Sequence, residues 1–388
     1  MAAARAVVIG AGIGGLAAAA GLRAAGWDVT VCERAAALEP VGAGLALAPN
    51  GLRALDALGI GDAVRAHAVP QEMGIRSPGG RWLLRSSTEQ TVRTRFGDPI
   101  ILLPRAQLVD ALLSLVPDQA IALSTEVTSV AFDTARVATT AGDLDAGLVV
   151  AADGIGSAAR AAMFPDHPGL RYAGFTTWRL LTGPVADAVQ MAETWGRGTV
   201  FGVMPLADGR VYCYAAAPAT PGAHSDDELA ELVRRFGGWH EPIPSLLAGA
   251  TSSAVLRHDV AELARPLPSF HRGRVVLLGD AAHPMTPNLG QGACQALEDA
   301  VVLSELADAA DGEALPSALA SYTAARLPRT TDVVRWSRRA GRMTTWTSRP
   351  AIAARDTTAW VLGKLAPGAL LRGLDPIYDW HPPATTPK

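Results

Sequence analysis

Apolar and polar positions repeat one phrase three times along the chain: a short apolar strand, a turn of small or acidic residues, then a helix. The first copy is VVIGAGIGGLAAAA, residues 7–20. Ala6 to Ile9 read as a strand buried on both faces, and Leu16, Ala20 and Leu22 then recur at helical spacing. A second strand follows from Asp28 to Glu33. VVAADGIGSAAR, residues 149–160, repeats the phrase, with Asp153-Gly154 at the strand's end and Ser157 and Arg160 after it. RVVLLGDAAHPMTPNLGQGACQALEDAVVL, residues 274–303, repeats it again. Its strand is Val275 to Leu278, and its helix carries Ala293, Ala296, Leu297, Ala300 and Val301 on one face. Strands alternating with helices predict an α/β fold with a mostly parallel sheet.

Residues 176–268 lack that rhythm. TVFGVM and RVYCYAAA alternate about Asp208-Gly209, which predicts a hairpin. Tyr212 and Tyr214 then share one face and Val211 and Cys213 the other. From Arg335 onward the pattern is helical, then proline-rich, with Ala351 to Leu371 read as amphipathic helices packing on the core or on a second subunit.

Composition removes several function classes. The chain has 388 residues, 49% of them hydrophobic, and a formal net charge of -3, so it is globular and has no global basic field for nucleic acid. No apolar run is long enough for a membrane span, and glycines interrupt the apolar N-terminal stretch where a secretory signal would need continuity. Cys32, Cys213 and Cys294 are far apart in apolar stretches, which suits free buried thiols and a cytoplasmic location. The eight histidines show no metal-binding spacing, so no metal is expected.

Gly10, Gly12 and Gly15 make a GxGxxG turn between strand and helix. Gly10 permits the tight turn, Gly12 lets a pyrophosphate approach the backbone, and Gly15 lets the helix pack closely. The helix N-terminus offers free N–H groups to phosphate, and Glu33 at the end of the second strand can accept from a ribose diol. The turn alone does not choose between NAD and FAD. Asp280 at a strand tip before a glycine-rich helix start suits a polyol, although a carboxylate there can also serve only as a helix cap.

Taken together, GxGxxG with Glu33-Arg34, DGxxSxxR from Asp153, and GDAAHxxxPxxGQG from Gly279 resemble the class A flavoprotein monooxygenases, the p-hydroxybenzoate hydroxylase-like family. Residues 41–60, 103–113 and 195–214 resemble it as well. The resemblance implies a Rossmann-like FAD-binding domain (1–70, 98–175 and 269–345), an inserted antiparallel β-sheet substrate domain (71–97 and 176–268) and a C-terminal helical tail (346–388). It implies non-covalent FAD, with Gly12, Gly14 and Gly15 at the pyrophosphate, Glu33 at the ribose and Arg34 beside the adenine. Arg105 would reach the ribityl or phosphate region, Asp280 the ribityl hydroxyls, and Gly290, Gly292 and Ala293 the flavin ring. Gly10, Ala46, Val127 and Asp153 complete the expected cofactor set.

The implied activity is hydroxylation of a small aromatic substrate with NAD(P)H and O2 through a flavin C4a-hydroperoxide, by a monomer or homodimer. Tyr212, Pro287 and Asn288 are the candidate catalytic residues, and Trp178, Trp195, Phe201, Met204 and Tyr212 the candidate substrate contacts. Two departures narrow the substrate. Some pyridine-hydroxylating relatives have a histidine where Ala46 stands, and urate-hydroxylating relatives an aspartate where Asn288 stands. Neither residue here can serve as a charged base, so no general base is visible. Epoxidation or oxidative rearrangement on the same cofactor, reduction of a prenyl chain, or flavin binding without turnover are the alternatives.

Overall fold

Three apolar strands, Arg5–Ile9, Leu148–Ala151 and Val275–Leu277, lie side by side in parallel at the centre of a six-stranded sheet in the computed structural model. The structure describes residues 4–38, 43–69, 73–86, 88–185, 189–307, 313–365 and 372–383. Asp28–Cys32 and Ile121–Ala122 extend the sheet on one side, and His271–Arg272 closes the other as an antiparallel edge. Val7 pairs with Val149 and Val150 with Val276, and nearly every residue of the three central strands is buried. That two-sided burial is why these strands read as unbroken apolar runs. The helix Ile13–Ala24 packs on this sheet, and Gly292–Leu306 packs on that helix. Small residues bring them close: a Cβ on Gly14 would lie 3.3 Å from the Cβ of Ala296.

The second sheet has seven strands in the order Leu256–Leu263, Leu170–Pro184, Arg210–Pro218, Val200–Pro205, Ala192–Trp195, Met73–Arg76 and Trp82–Ser86. The hairpin expected about Asp208-Gly209 is present, with Gly209 at φ +80° where a Cβ would be strained. Two details differ from the sequence reading. Ala192–Trp195 pairs in parallel with Met73–Arg76, because the early segment joins by crossover rather than by a hairpin. The strand Leu170–Pro184 also runs across the division expected at residue 176. A ribbon of Gly44–Leu47 and Ile101–Pro104 lies between the two sheets' cores.

Strand alternation splits the second sheet's core in two. Trp178, Leu180, Phe201, Val203, Val211 and Cys213 pack against the helices Glu228–Phe236 and Ile243–Ala248. Met204, Tyr212 and Leu181 face the other way, onto Leu102 of the ribbon and Ala43 just before it. In the tail, Arg349–Leu365 is helical, and 366–371 of the expected Ala351–Leu371 helices lie outside the described residues.

The least expected feature of the α/β core is charged. Glu298 and Asp299, consecutive on Gly292–Leu306, are both 0% exposed. Asp299 accepts from Arg326 Nε at 2.6 Å, from the Gly279 N–H at 3.0 Å and pairs with His283 Nε2 at 2.6 Å. Burial pushes the Asp299 carboxyl up, but His283 and Arg326 overcome this and hold it well below the usual carboxylate range. Glu298 accepts from Asn50, Gln295, Arg326 and Arg329. Arg329 reaches on to the carbonyls of Pro376 and Ile377, which docks the C-terminal segment.

A buried pair broken on one side leaves a charge with no counter-ion, at a cost of about 3–5 kcal/mol. Arg326→Ala is therefore expected to lower the unfolding free energy by about that amount in a urea titration. A loss below about 1 kcal/mol would show that the cluster is not structural.

Candidate active site

The first turn is built by contacts that admit only glycine. Gly10 has φ +97°, and a Cβ there would lie 2.7 Å from the Ala152 carbonyl. A Cβ on Gly15 would lie 1.9 Å from the Gly10 carbonyl. Gly12 differs, since nothing lies within 4 Å of its absent Cβ. It caps the helix Ile13–Ala24 with no side-chain hydrogen bond, and the first helical turn holds no acidic residue. The turn thus presents bare N–H groups and a positive helix end to open space, a cradle for an anion. Gly14 instead points inward at Leu278 and Ala296, so its side serves packing. Glu33 accepts from the N–H groups of Ala11 at 2.8 Å and Ala35 at 2.9 Å, which fixes its carboxylate at the rim of that cradle. Arg34 beside it is exposed. Val127 opens the strand Val127–Val130, half-buried against the α/β core.

The two Asp–Gly turns are tied to each other. Ser157 caps the helix Ala158–Met163 by accepting from the Arg160 N–H. The buried Arg160 guanidinium then donates to the carbonyls of Asp280 and Ala281. Asp153 accepts from the Ala159 N–H through Oδ2, while its Oδ1 is buried with no partner. Asp280 opens on the cleft with protein packed around it. Burial raises its carboxyl above the ordinary value, against the pull of His283, Arg105 and Arg160. Arg105 begins the helix that follows the ribbon and forms no ion pair with any described residue. Burial lowers its basicity, and so does Arg179, while Asp280 opposes them.

Across the cleft, Gly290 takes φ +61° in the loop before Gly292–Leu306, and a Cβ on it would lie 3.7 Å from Ala46. No side chain caps that helix either, its first turn is free of acidic residues, and nothing lies within 4 Å of the absent Cβ of Gly292. Ala293 is half-buried at its start and Pro287 is exposed at the loop's tip. Two uncapped helix ends, with the Asp280 and Glu33 carboxylates beside them, are groups of the kind that the pyrophosphate, ribityl chain, ribose and ring carbonyls of FAD need.

The second sheet brings some of the candidate substrate residues to this cleft and takes others away. Tyr212 is 9% exposed and lies over Gly44, where a Cβ would come within 2.5 Å of its ring. Its hydroxyl has no hydrogen bond with any described residue. Burial pushes the phenol up to about 12, against the pull of Arg179. Met204 shares this face. Trp178 and Phe201 do not: Trp178 donates to Glu228 at 2.7 Å and Phe201 packs on Phe236, because odd and even strand positions point to opposite faces. Trp195 donates to Glu193 at 2.8 Å and lies under Arg355 of the tail helix. Asn288 turns its Oδ1 into a buried position against Gly341, with no partner there.

Sequence reasoning passed over Arg179 and the Glu298–Asp299 pair. Each had a visible signal: an arginine inside the strand TTWRLL, and two carboxylates inside the apolar stretch ACQALEDAVVL.

Comparisons with known proteins agree with this geometry. Residues 3–337 match the family described as FAD binding domain. Aurachin C monooxygenase/isomerase of Stigmatella aurantiaca is 38% identical over 358 residues, covering 90% of this chain and 92% of that one. The 3-amino-4-hydroxybenzoate 2-monooxygenase of Streptomyces cremeus is 36% identical over 383 residues, covering 93% and 95%. The crystal structure of Klebsiella pneumoniae HpxO with FAD and uric acid superposes with a TM-score of 0.86 at 30% identity, over 96% of this chain and 95% of that one. The chain belongs to the FAD-binding-domain family, among its FAD-dependent aromatic monooxygenases.

Proposed function

We propose that the protein hydroxylates a small phenol-like or heteroaromatic ring, held between the flavin and the Tyr212–Met204 face of the second sheet, with NAD(P)H as reductant and O2 as oxidant. The observation that carries this is Tyr212, whose ring is buried among apolar side chains while its hydroxyl has no hydrogen bond with any described residue, on the face that covers the ribbon. FAD, when bound, supplies the electron transfer and the oxygen activation. The chain's own residues bind, orient and exclude water. Gly12 and the end of Ile13–Ala24 hold the pyrophosphate, Glu33 the ribose, Asp280 the ribityl hydroxyls, and the N–H groups of Gly290 to Ala293 the ring. Arg34, Arg105, Asp153 and Val127 belong to the same set. Tyr212 keeps its proton at neutral pH, so it donates to the substrate oxygen rather than acting as a base. Ala43, Leu102 and Met204 keep water from the reacting ring.

The printed activity of the Stigmatella relative, monooxygenase/isomerase, favours a second reading in which oxygenation is followed by rearrangement. NMR of the product separates the two. The division into a discontinuous cofactor domain, a sheet domain and a helical tail is proposed with the function. No described helix is long and apolar enough to cross a membrane. The buried free thiols support a reducing compartment, and exposed Trp360, Val361 and Leu365 give a homodimer an apolar surface to use if the protein is not a monomer.

Three outcomes test this. Asp280→Ala should still fold and weaken FAD binding by roughly 1.5–3 kcal/mol, read by flavin fluorescence titration. Unchanged affinity would remove Asp280 from the cofactor site. Tyr212→Phe should lower kcat/KM at every pH between about 6 and 10 without changing the profile's shape, because a raised phenol pKa keeps the proton on throughout that range. A limb that disappears with the hydroxyl would make Tyr212 a titrating base instead. Substrate should also accelerate anaerobic flavin reduction by NAD(P)H in stopped flow, since the sequence holds no second GxGxxG turn to keep the reductant beside the flavin, so that substrate binding would gate their approach. Small side chains among residues 44–47 leave room for such a rearrangement, and Gly42 lies outside the described residues. A reduction rate indifferent to the true substrate would refute the gating.

A further inference from the structure

The helix Arg349–Leu365 has two faces of different kind. Ile352, Arg355, Ala359, Leu362 and Gly363 fall on one stripe, and each is buried or half-buried. Arg355 lies over the Trp195 ring and donates to the carbonyls of Gly196 and Met343, and a Cβ on Gly363 would come within 2.6 Å of Leu84. Asp356, the helix's one carboxylate, is half-buried and held by Arg355 at 2.9 Å. The opposite stripe runs from Ala353 through Thr357 and Val361 to Lys364 and Leu365, with Trp360 at its edge, and it is exposed. It carries no charge between Arg349 and Lys364, over about 20 Å of helix, where a solvated face ordinarily carries several. Large apolar groups stand at both ends of it. Met343 and Trp346 precede the helix, and Trp360, Val361 and Leu365 occupy its last turns, with Leu365 81% exposed.

The same segment is basic in a chain that is not. Residues 333–365 hold six arginines and one lysine against one aspartate and no glutamate, while the whole chain has a formal net charge of -3. Arg335, Arg338 and Arg355 are paired, with Asp332, Glu262 and Asp356. Arg339, Arg342, Arg349 and Lys364 are exposed, and none has a carboxylate partner among the described residues. Arg339 and Arg342 lie in the last turns of the preceding helix, Leu315–Thr344; Arg349 opens the exposed helix, and Lys364 ends it over the Trp360 ring. Both ends of the apolar stripe are therefore cationic. That charge decides between occupants. The homodimer allowed above would use the same face, but a two-fold axis there sets cation against cation whether the two helices run parallel or antiparallel. A bilayer with anionic headgroups meets both features, because tryptophan rings settle at headgroup level and the cations beside them attract lipid phosphate.

We propose that the exposed stripe of Arg349–Leu365 is a docking surface for an anionic lipid membrane: Trp346, Trp360 and Leu365 enter the headgroup layer, and Arg339, Arg342, Arg349 and Lys364 pair with its phosphates. Binding is peripheral, since no described helix is long and apolar enough to cross a membrane. The inner stripe ties the docked helix to the second sheet. Arg355 lies over Trp195, Trp195 donates to Glu193, and Glu193 accepts from Tyr214 beside Tyr212. The membrane surface and the candidate substrate face thus belong to one packed unit, and the docking itself does not depend on the function proposed above.

Flotation of the FAD-loaded enzyme with vesicles tests it, comparing phosphatidylcholine alone with phosphatidylcholine containing about one-third phosphatidylglycerol. At about 0.1 M salt the wild type should bind the anionic vesicles on the order of tenfold more tightly than the zwitterionic ones, and about 0.5 M salt should release most of it. Trp360→Ser combined with Leu365→Ser, and separately Arg349→Glu combined with Lys364→Glu, should each weaken that binding on the order of tenfold. All four positions are exposed, so FAD content and Tm should stay at wild-type values in both variants. Equal binding to the two vesicles, no binding to either, or binding that both variants retain would overturn the assignment. Sedimentation velocity without lipid reads the competing occupant. A wild type that stays monomeric supports the membrane, and a dimer that Trp360→Ser with Leu365→Ser dissociates would give the face to a second copy instead.

Discussion

The buried carboxylates of Glu298 and Asp299 hold the cofactor side of the molecule in place. Two adjacent negative charges in an apolar helix are tolerable only if every oxygen finds a partner, and the partners come from the whole chain. Asp299 fixes the Gly279 turn and His283, which sets where Asp280 meets the cleft. Glu298 holds Asn50, and Asn50 in turn holds Gln291 at the head of the helix Gly292–Leu306. Arg326 and Arg329 join the long helix Leu315–Thr344 to the same point and carry it on to the C-terminal segment. Arg326 is itself 1% exposed, and although burial opposes its charge, Asp299 and Glu298 hold it firmly protonated. The two carboxylates are fully paired, which makes this junction rigid, while Asn50 Oδ1, His283 Nδ1 and Gln291 Nε2 around them are buried with no partner among the described residues.

Chemistry then needs a lid of opposite character, and the second sheet provides one. Its outer face is closed by helices, which frees the inner face to cover the ribbon and the cofactor loops. On that inner face the polar groups differ in how they are committed. Tyr214 is bonded to Glu193, and burial together with that carboxylate raises its pKa well above the ordinary value. Gly202 opposite makes room for its ring. Tyr212 and Arg179 have donors to spare. A site in which the structural polar groups are saturated and the remaining donors face the ligand is organised before the ligand arrives.

The sequence by itself determined the first turn, because its constraint is local. A Cβ on Gly15 would collide with a carbonyl only five residues away, so the glycine pattern, the strand before it and Glu33 after it are readable together. Parallel strands buried on both faces were equally legible as apolar runs, and the hairpin at Asp208-Gly209 followed from a left-handed turn that glycine takes without strain. Only the tertiary structure decided which face of the second sheet looks inward. A period of two groups Tyr212 with Tyr214 and Trp178 with Phe201, but burial of the second pair depends on helices contributed by residues 228–248. It alone supplied partners for Glu298 and Asp299, from Asn50 to Arg329, and left Arg179 with His258 but with no carboxylate among the described residues. Such pairings join residues far apart in the chain, and no local period records them.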